Sequence, residues 1–200
     1  MPVEDDVGFA RKVFALNEAL TSARLPFAFG GAIALTFAVV EPRTTVDIDV
    51  NVFVSTDDVA SVLAALPPEV ECDDLLRELL RREGQARLRW GITPVDIFLA
   101  TNAFHLEAAR RSTRKPLGDV LIPVLSPGDL AVFKAFFARP KDFIDISNMV
   151  EARSFDVSDV RKTIASLLGP GAPELTQFDA AVTDGRDPDR HEPRNRFPRP

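Results

Sequence analysis

The segment Val46-Asp47-Ile48-Asp49-Val50-Asn51-Val52-Phe53 alternates apolar and polar side chains up to its last position. Alternation with period two is the signature of a strand with one buried face. Ile48 and Val50 must then point to a core, and Asp47 and Asp49 must leave the opposite face together. Val95-Asp96-Ile97 repeats the apolar-acid-apolar order later in the chain. If the two strands are neighbours in register, three carboxylates converge. Such a gathering is costly unless a cation neutralises it. Oxygen-rich clusters of this kind suit Mg²⁺, which could hold a nucleoside triphosphate for in-line phosphoryl displacement. The plainer alternative is three acids on the solvent face of an open sheet.

The rest of the chain supplies a frame for that strand. With 46% hydrophobic and 27% charged residues, 200 residues can bury a proper core. Phe9, Val13, Leu16 and Leu20 share one face of a first helix that begins near Asp5 and Asp6. Phe27-Ala28-Phe29 reads as a strand leading into Gly30-Gly31, and residues 32–40 read as a helix stopped by Pro42. A glycine pair between strand and helix exposes backbone N–H groups that can hold phosphate, although it is also a common tight turn. Helices are expected over 56–66, 73–82, 102–111, 126–137, 140–150 and 157–168. Strands are expected over 86–90 and 95–99, joined by a turn at 91–94, with an extended piece at 120–124. Beyond Gly169 the prolines multiply. Leu175 to Val182 reads as a short helix, and a poorly ordered tail is expected after Asp184. The expected architecture is α/β (α+β): residues 1–125 as a core with a small mixed sheet flanked by helices, 126–169 as a helical C-terminal part, and 170–200 as a Pro-rich tail.

The ordered set Gly30-Gly31, Asp47-Ile48-Asp49 and Asp96 resembles the signature of the polymerase-β-type minimal nucleotidyltransferases. The segment Phe29-Gly30-Gly31-Ala32 through Arg43-Thr44-Thr45-Val46-Asp47-Ile48-Asp49 is similar to the AbiEii-like branch, which includes the MenT-type toxins of toxin–antitoxin pairs. Leu125-Ser126-Pro127-Gly128-Asp129-Leu130, Lys134 and the run Arg139-Pro140-Lys141-Asp142-Phe143-Ile144-Asp145-Ile146 resemble the same branch. The resemblance spans roughly residues 25–150. It implies that Gly30 and Gly31 cradle triphosphate, and that Asp47 and Asp49 bind one or two Mg²⁺ ions. Asp96 would complete the metal cluster or act as general base. Lys134 would contact phosphate or steady the leaving pyrophosphate. Asp142 and Asp145 would order Lys134, Arg139 and Lys141 around the nucleotide. Where many members carry Gly-Ser, this chain has Gly30-Gly31, which removes one hydroxyl donor.

The implied reaction is Mg²⁺-dependent transfer of NMP from NTP to an acceptor hydroxyl. The acceptor suggested by the resemblance is a tRNA 3′ end, in a toxin that stops translation and has a cognate antitoxin. Nucleotidyl transfer to a protein or to a small molecule such as an antibiotic is the enzymatic alternative. A non-catalytic nucleotide- or partner-binding protein is the third reading. Thr45, two residues before Asp47, is placed with the nucleotide site, and a phosphate there would crowd the carboxylates. Two basic groups could meet RNA: Arg77, Arg81, Arg82, Arg87 and Arg89, and then Arg110, Arg111, Arg114 and Lys115. Both could equally be solvated helix faces. Trp90 could stack a base or lie in the core. The net charge of -6 argues against coating nucleic acid by charge alone. His105 reads as a capping or packing residue, and Cys72 as a bystander with no basic partner. With one cysteine and two histidines, disulfide frameworks and Cys/His metal sites are excluded. No apolar run is long enough to span a bilayer and no leader pattern opens the chain, so no membrane partner and a cytoplasmic location are expected.

Overall fold

β2 (Ile48–Val52) forms where the alternation predicts a strand, and Ile48, Val50 and Val52 are fully buried. The computed structural model describes residues 8–42 and 44–190. Ahead of β2 come α1 (Phe9–Ser22), β1 (Phe27–Phe29) and α2 (Gly31–Leu35). After a 3₁₀ turn at Thr56–Asp58 follow α3 (Val59–Ala65), β3 (Val70–Glu71), α4 (Asp74–Glu83), β4 (Gln85–Trp90) and β5 (Thr93–Leu99). Then come α5 (Ala103–Arg111), β6 (Thr113–Leu117), β7 (Val120–Val124) and the helices α6 (Pro127–Phe137), α7 (Pro140–Glu151), α8 (Val157–Leu168) and α9 (Pro173–Arg186).

The strands form one mixed sheet in the order β3-β4-β5-β2-β1-β7-β6, with helices flanking it, so the α/β class is as expected. β2 runs parallel to β5 and β1 parallel to β7; the other neighbours are antiparallel. The apolar positions of β4 and β5 (Ala86, Leu88, Trp90, Val95, Ile97, Leu99) are buried, as are Val13, Leu16 and Leu20 of α1. Lys12 is also buried. Its ammonium donates to the Trp90 carbonyl (3.0 Å) and to Thr93 Oγ1 (2.8 Å), pinning α1 to the β4–β5 turn. Among the described residues no helix is long and apolar enough to cross a membrane.

Several boundaries differ from expectation. α2 stops at Leu35, well short of Val40. Thr36 Oγ1 donates back to the Ala32 carbonyl, and Val39 and Val40 are β-branched and poor helix formers. The β4–β5 turn is the two-residue Gly91-Ile92, with Gly91 at φ +59, and Pro94 lies inside β5. β3 and β6 are absent from the sequence expectation. The Gly118-Asp119 turn, with Gly118 at φ +58, is the local signal for the β6–β7 hairpin.

The chain divides into two units: residues up to Phe37 with Glu41–Leu130, and Ala38–Val40 with the residues from Ala131 onward. The division falls inside α6. In the second unit α9 extends the short helix expected within residues 170–200. Leu175, Phe178, Ala181 and Val182 are its buried face. Residues 1–7, with Asp5 and Asp6, Arg43 and residues 191–200 lie outside the described set.

Candidate active site

The acid face is assembled by strand register. β2 and β5 are parallel with Asp49 beside Asp96, so both carboxylates leave the same side of the sheet. Asp47 sits immediately before β2 and continues its alternation. β4 flanks β5 on the other side and sets Arg87 opposite Asp96. Arg87 Nε donates to Asp96 Oδ1 (2.8 Å) and Nη2 to Asp96 Oδ2 (2.7 Å), a two-pronged pair. The same Nη2 reaches Asp47 Oδ2 at 3.3 Å. The guanidinium is held above its ordinary pKa, chiefly by the hydrogen bond to Asp96. Burial opposes this, and the charges of Asp96, Asp47 and Asp49 reinforce it. All three acids singled out in the sequence therefore act on one cation.

Arg87, grouped by sequence with the basic residues that could meet RNA, is instead the partner of these acids. A four-residue turn at 91–94 would set Arg89 opposite Asp96. The two-residue turn shifts the register and brings Arg87 there instead. The acids are arranged around a guanidinium. Among the described residues, no three Asp, Glu, His or Cys side chains are gathered closely enough to hold a metal ion.

The glycine pair lies against this face. Gly30 N–H donates to the Asp49 carbonyl (2.9 Å). Gly31 has φ +49, and a Cβ there would come 1.8 Å from Asp49 Oδ2. A Cβ at Gly30 would come 2.7 Å from Asn51 Nδ2, and Asn51 is itself buried. The sequence reading assigned Asn51 no role, although the alternation already puts it on the face of Asp49. The Thr45 hydroxyl lies 3.2 Å from both N and O of Asp47, donating to the carbonyl oxygen and accepting from the amide. Thr45 therefore fixes the approach of Asp47 to the strand.

Lys134, Arg139, Asp142 and Asp145 form a separate cluster in the second unit. Lys134, Asp142 and Asp145 are all buried. Lys134 Nζ donates to Asp145 Oδ2 (2.6 Å) and lies 3.5 Å from Asp142 Oδ1. Arg139 Nε donates to Asp142 Oδ2 (2.7 Å), and the guanidinium lies over the Phe137 ring at 5.3 Å. Asp142 also accepts from the Arg139 backbone N–H, closing the start of α7. Asp142 thus contacts both Lys134 and Arg139, and Asp145 contacts Lys134. Lys134 is a buried ion-pair partner, and Lys141 is exposed.

Five of the nine basic residues proposed for RNA are matched by acids of the chain, Arg87 among them. Arg81 pairs with Glu78 and Arg82 with Glu83, each at 2.7 Å. Arg110 pairs with Glu107, and Arg111 makes a fork on Asp129 at 2.6 Å. Trp90 is buried in the core, which removes it as a base-stacking platform. His105 Nδ1 accepts from the Thr101 N–H (3.2 Å), and burial lowers its pKa, as a capping residue requires. Burial pushes the Cys72 thiol up, so it stays protonated and unreactive.

No family model matches the chain, and no curated protein matches it. It is similar in part to a solved structure of ANT(2'')-Ia in complex with adenylyl-2''-tobramycin, at 15% identity and TM-score 0.47, covering 86% of this chain and 94% of that one. An antigenic nucleotidyltransferase-like protein from Paracoccidioides brasiliensis gives 17% identity and TM-score 0.41, covering 90% and 87% of the two chains. JHP933 from Helicobacter pylori gives 11% identity and TM-score 0.42, covering 92% and 91%.

Proposed function

We propose that the chain is a nucleotidyltransferase that moves NMP from NTP to an acceptor hydroxyl. The observation that carries this reading is the in-register pair Asp49–Asp96, with Asp47 joined to it through Arg87 and the side-chain-free Gly31 against Asp49. The donor chemistry suits a hard divalent cation, since Asp47, Asp49 and Asp96 offer carboxylate oxygens only, though they would have to draw in from their spacing around Arg87 to ligate it. Asp47 and Asp49 would hold Mg²⁺, with Asp96 beside them. When bound, Mg²⁺ would neutralise phosphate charge and polarise the α-phosphate. The attacking hydroxyl oxygen would bond to the α-phosphorus as the bond to pyrophosphate breaks, and its proton would pass to a remaining lone pair of the Asp96 carboxylate, which Arg87 holds in place. The Gly30 N–H is spent on the Asp49 carbonyl, so Gly31 would be the residue of the pair that meets the triphosphate, and Thr45 holds Asp47 in place. Lys134, Asp142, Arg139 and Lys141 belong to the second unit, and their role toward a nucleotide is what the resemblance implies. The Lys134–Asp145–Asp142–Arg139 network supplies rigidity there, and Lys141 is exposed.

The resemblance names a tRNA 3′ end as acceptor, and with it a toxin restrained by an antitoxin. The pairing of Arg81, Arg82, Arg110 and Arg111 with acids of the chain favours a smaller acceptor, because those charges are not held out for a phosphate backbone. Incubation with each α-labelled NTP and Mg²⁺, offered total tRNA, cell protein or a small-molecule extract, tests both levels. Label in tRNA supports the toxin reading, and label in a small product supports the alternative. Absence of any label transfer that depends on Asp49 would overturn the enzyme reading. A Thr45→Glu variant that kept full activity would overturn control by phosphorylation at Thr45.

A further inference from the structure

We propose that Arg87 is the resident cation of the acid face and that a divalent metal must take oxygens from it to enter. The inference rests on the nucleotidyltransferase reading and concerns control of the same site. Arg87 holds both oxygens of Asp96 at 2.8 and 2.7 Å, and one oxygen of Asp47 at a looser 3.3 Å. A guanidinium spanning two carboxylates does the electrostatic work that an ion would do. The acids accordingly surround a guanidinium and form no ion cage of their own among the described residues.

The arrangement is built to be released in one direction. The Arg87 backbone is locked in β4 between buried Ala86 and Leu88, while its side chain is 54% exposed. The Asp96 side chain is 14% exposed and gripped at two points; that of Asp47 is 27% exposed and held at one. The Asp47 bond is therefore the one to break first. Arg87 then remains on Asp96 and steadies it while Asp47 turns to the metal. Arg87 thereby weakens metal binding in the absence of nucleotide, because an entering cation meets both a competing bond and a like charge.

Mn²⁺ binding to the full chain without nucleotide, followed by electron paramagnetic resonance, tests this on wild type, Arg87→Gln and Asp49→Asn. Arg87→Gln is expected to bind Mn²⁺ at least about tenfold more tightly than wild type. Asp49→Asn is expected to lose the site. Equal or weaker binding by folded Arg87→Gln, with wild-type binding still lost in Asp49→Asn, overturns the role of Arg87 and leaves the proposed function standing. No Mn²⁺ bound by either wild type or Arg87→Gln overturns both. A second measurement needs no variant that must fold: Mg²⁺ titration of wild type, watching the Nε–H resonances of arginine. The Arg87 signal is expected to shift with metal. An unmoved Arg87 signal during saturable binding overturns the proposal.

Discussion

A methyl group at Gly31 would stand 1.8 Å from Asp49 Oδ2, on a backbone at φ +49 that L side chains rarely adopt. Gly31→Ala must either twist the backbone, at about 1–3 kcal/mol, or push Asp49 off its position. A displacement of about 1 Å at a reacting centre costs on the order of a hundredfold in rate. Label transfer by Gly31→Ala is therefore expected to fall about a hundredfold, with a lower melting temperature, both read on one preparation. Lys134 poses the opposite problem, an ammonium enclosed by two buried carboxylates. Lys134→Met leaves those charges without their cation and is expected to cost about 3–5 kcal/mol in urea unfolding. Changing Asp145 to Asn in the same chain should recover part of that loss. His105 carries a pH dependence. Its ordinary pKa is 6.5, and burial lowers the folded value. Between those two values the unfolded chain holds more protons than the folded one. Stability is thus full above pH 6.5 and declines as pH falls through the folded pKa. Urea titrations at neutral and mildly acidic pH should show a shallower acid loss in His105→Gln, whose side chain does not titrate.

The elements that sequence patterns delimit well are those whose ends carry their own chemistry. α4 begins after Asp73, whose carboxylate accepts from the Leu76 N–H at 2.8 Å, and ends at Gly84 with φ +71. Neither end needs a distant partner. α9 is different, since prolines and mixed charges around it hide a helix that is held by packing. Gly185 on α9 is in close approach to α7: a Cβ there would come 2.4 Å from the Ser147 carbonyl and 2.8 Å from Val150 Cβ. Gly185→Ala is therefore expected to destabilise the second unit by about 1–3 kcal/mol, measured by thermal unfolding, although alanine is the better helix former. β6 was overlooked because Arg114, Lys115 and Pro116 read as a polar stretch. Its apolar content is small, and it persists as an edge strand by pairing with β7.

Arg81, Arg82, Arg87, Arg110 and Arg111 each have an acid partner within the chain. With a net charge of -6 as well, the surface offers little to a polyanion. Anisotropy with labelled, non-cognate RNA at about 150 mM salt is expected to show affinity weaker than about 10⁻⁴ M. Tighter, steeply salt-dependent binding would point back to an RNA acceptor. The two units also differ in how their ionic groups are used. In the first, Arg87 and its acids lie at a half-exposed face. In the second, Lys134, Asp142 and Asp145 are sealed in the core.

Local covalent geometry is enough to determine that Asp47 and Asp49 share a face, that Ile48 and Val50 share the other, and where α4 starts and stops. Those facts follow from the period of a strand and from caps within a few residues. Which strands become neighbours is decided by the tertiary structure, because pairing depends on sheet order and on the length of one turn. The two-residue turn at Gly91-Ile92 moves Arg87 opposite Asp96, and the parallel docking of β5 on β2 sets Asp96 beside Asp49. The carboxylates of the candidate site are legible in the sequence; the cation that holds them is visible only once the strands are laid side by side.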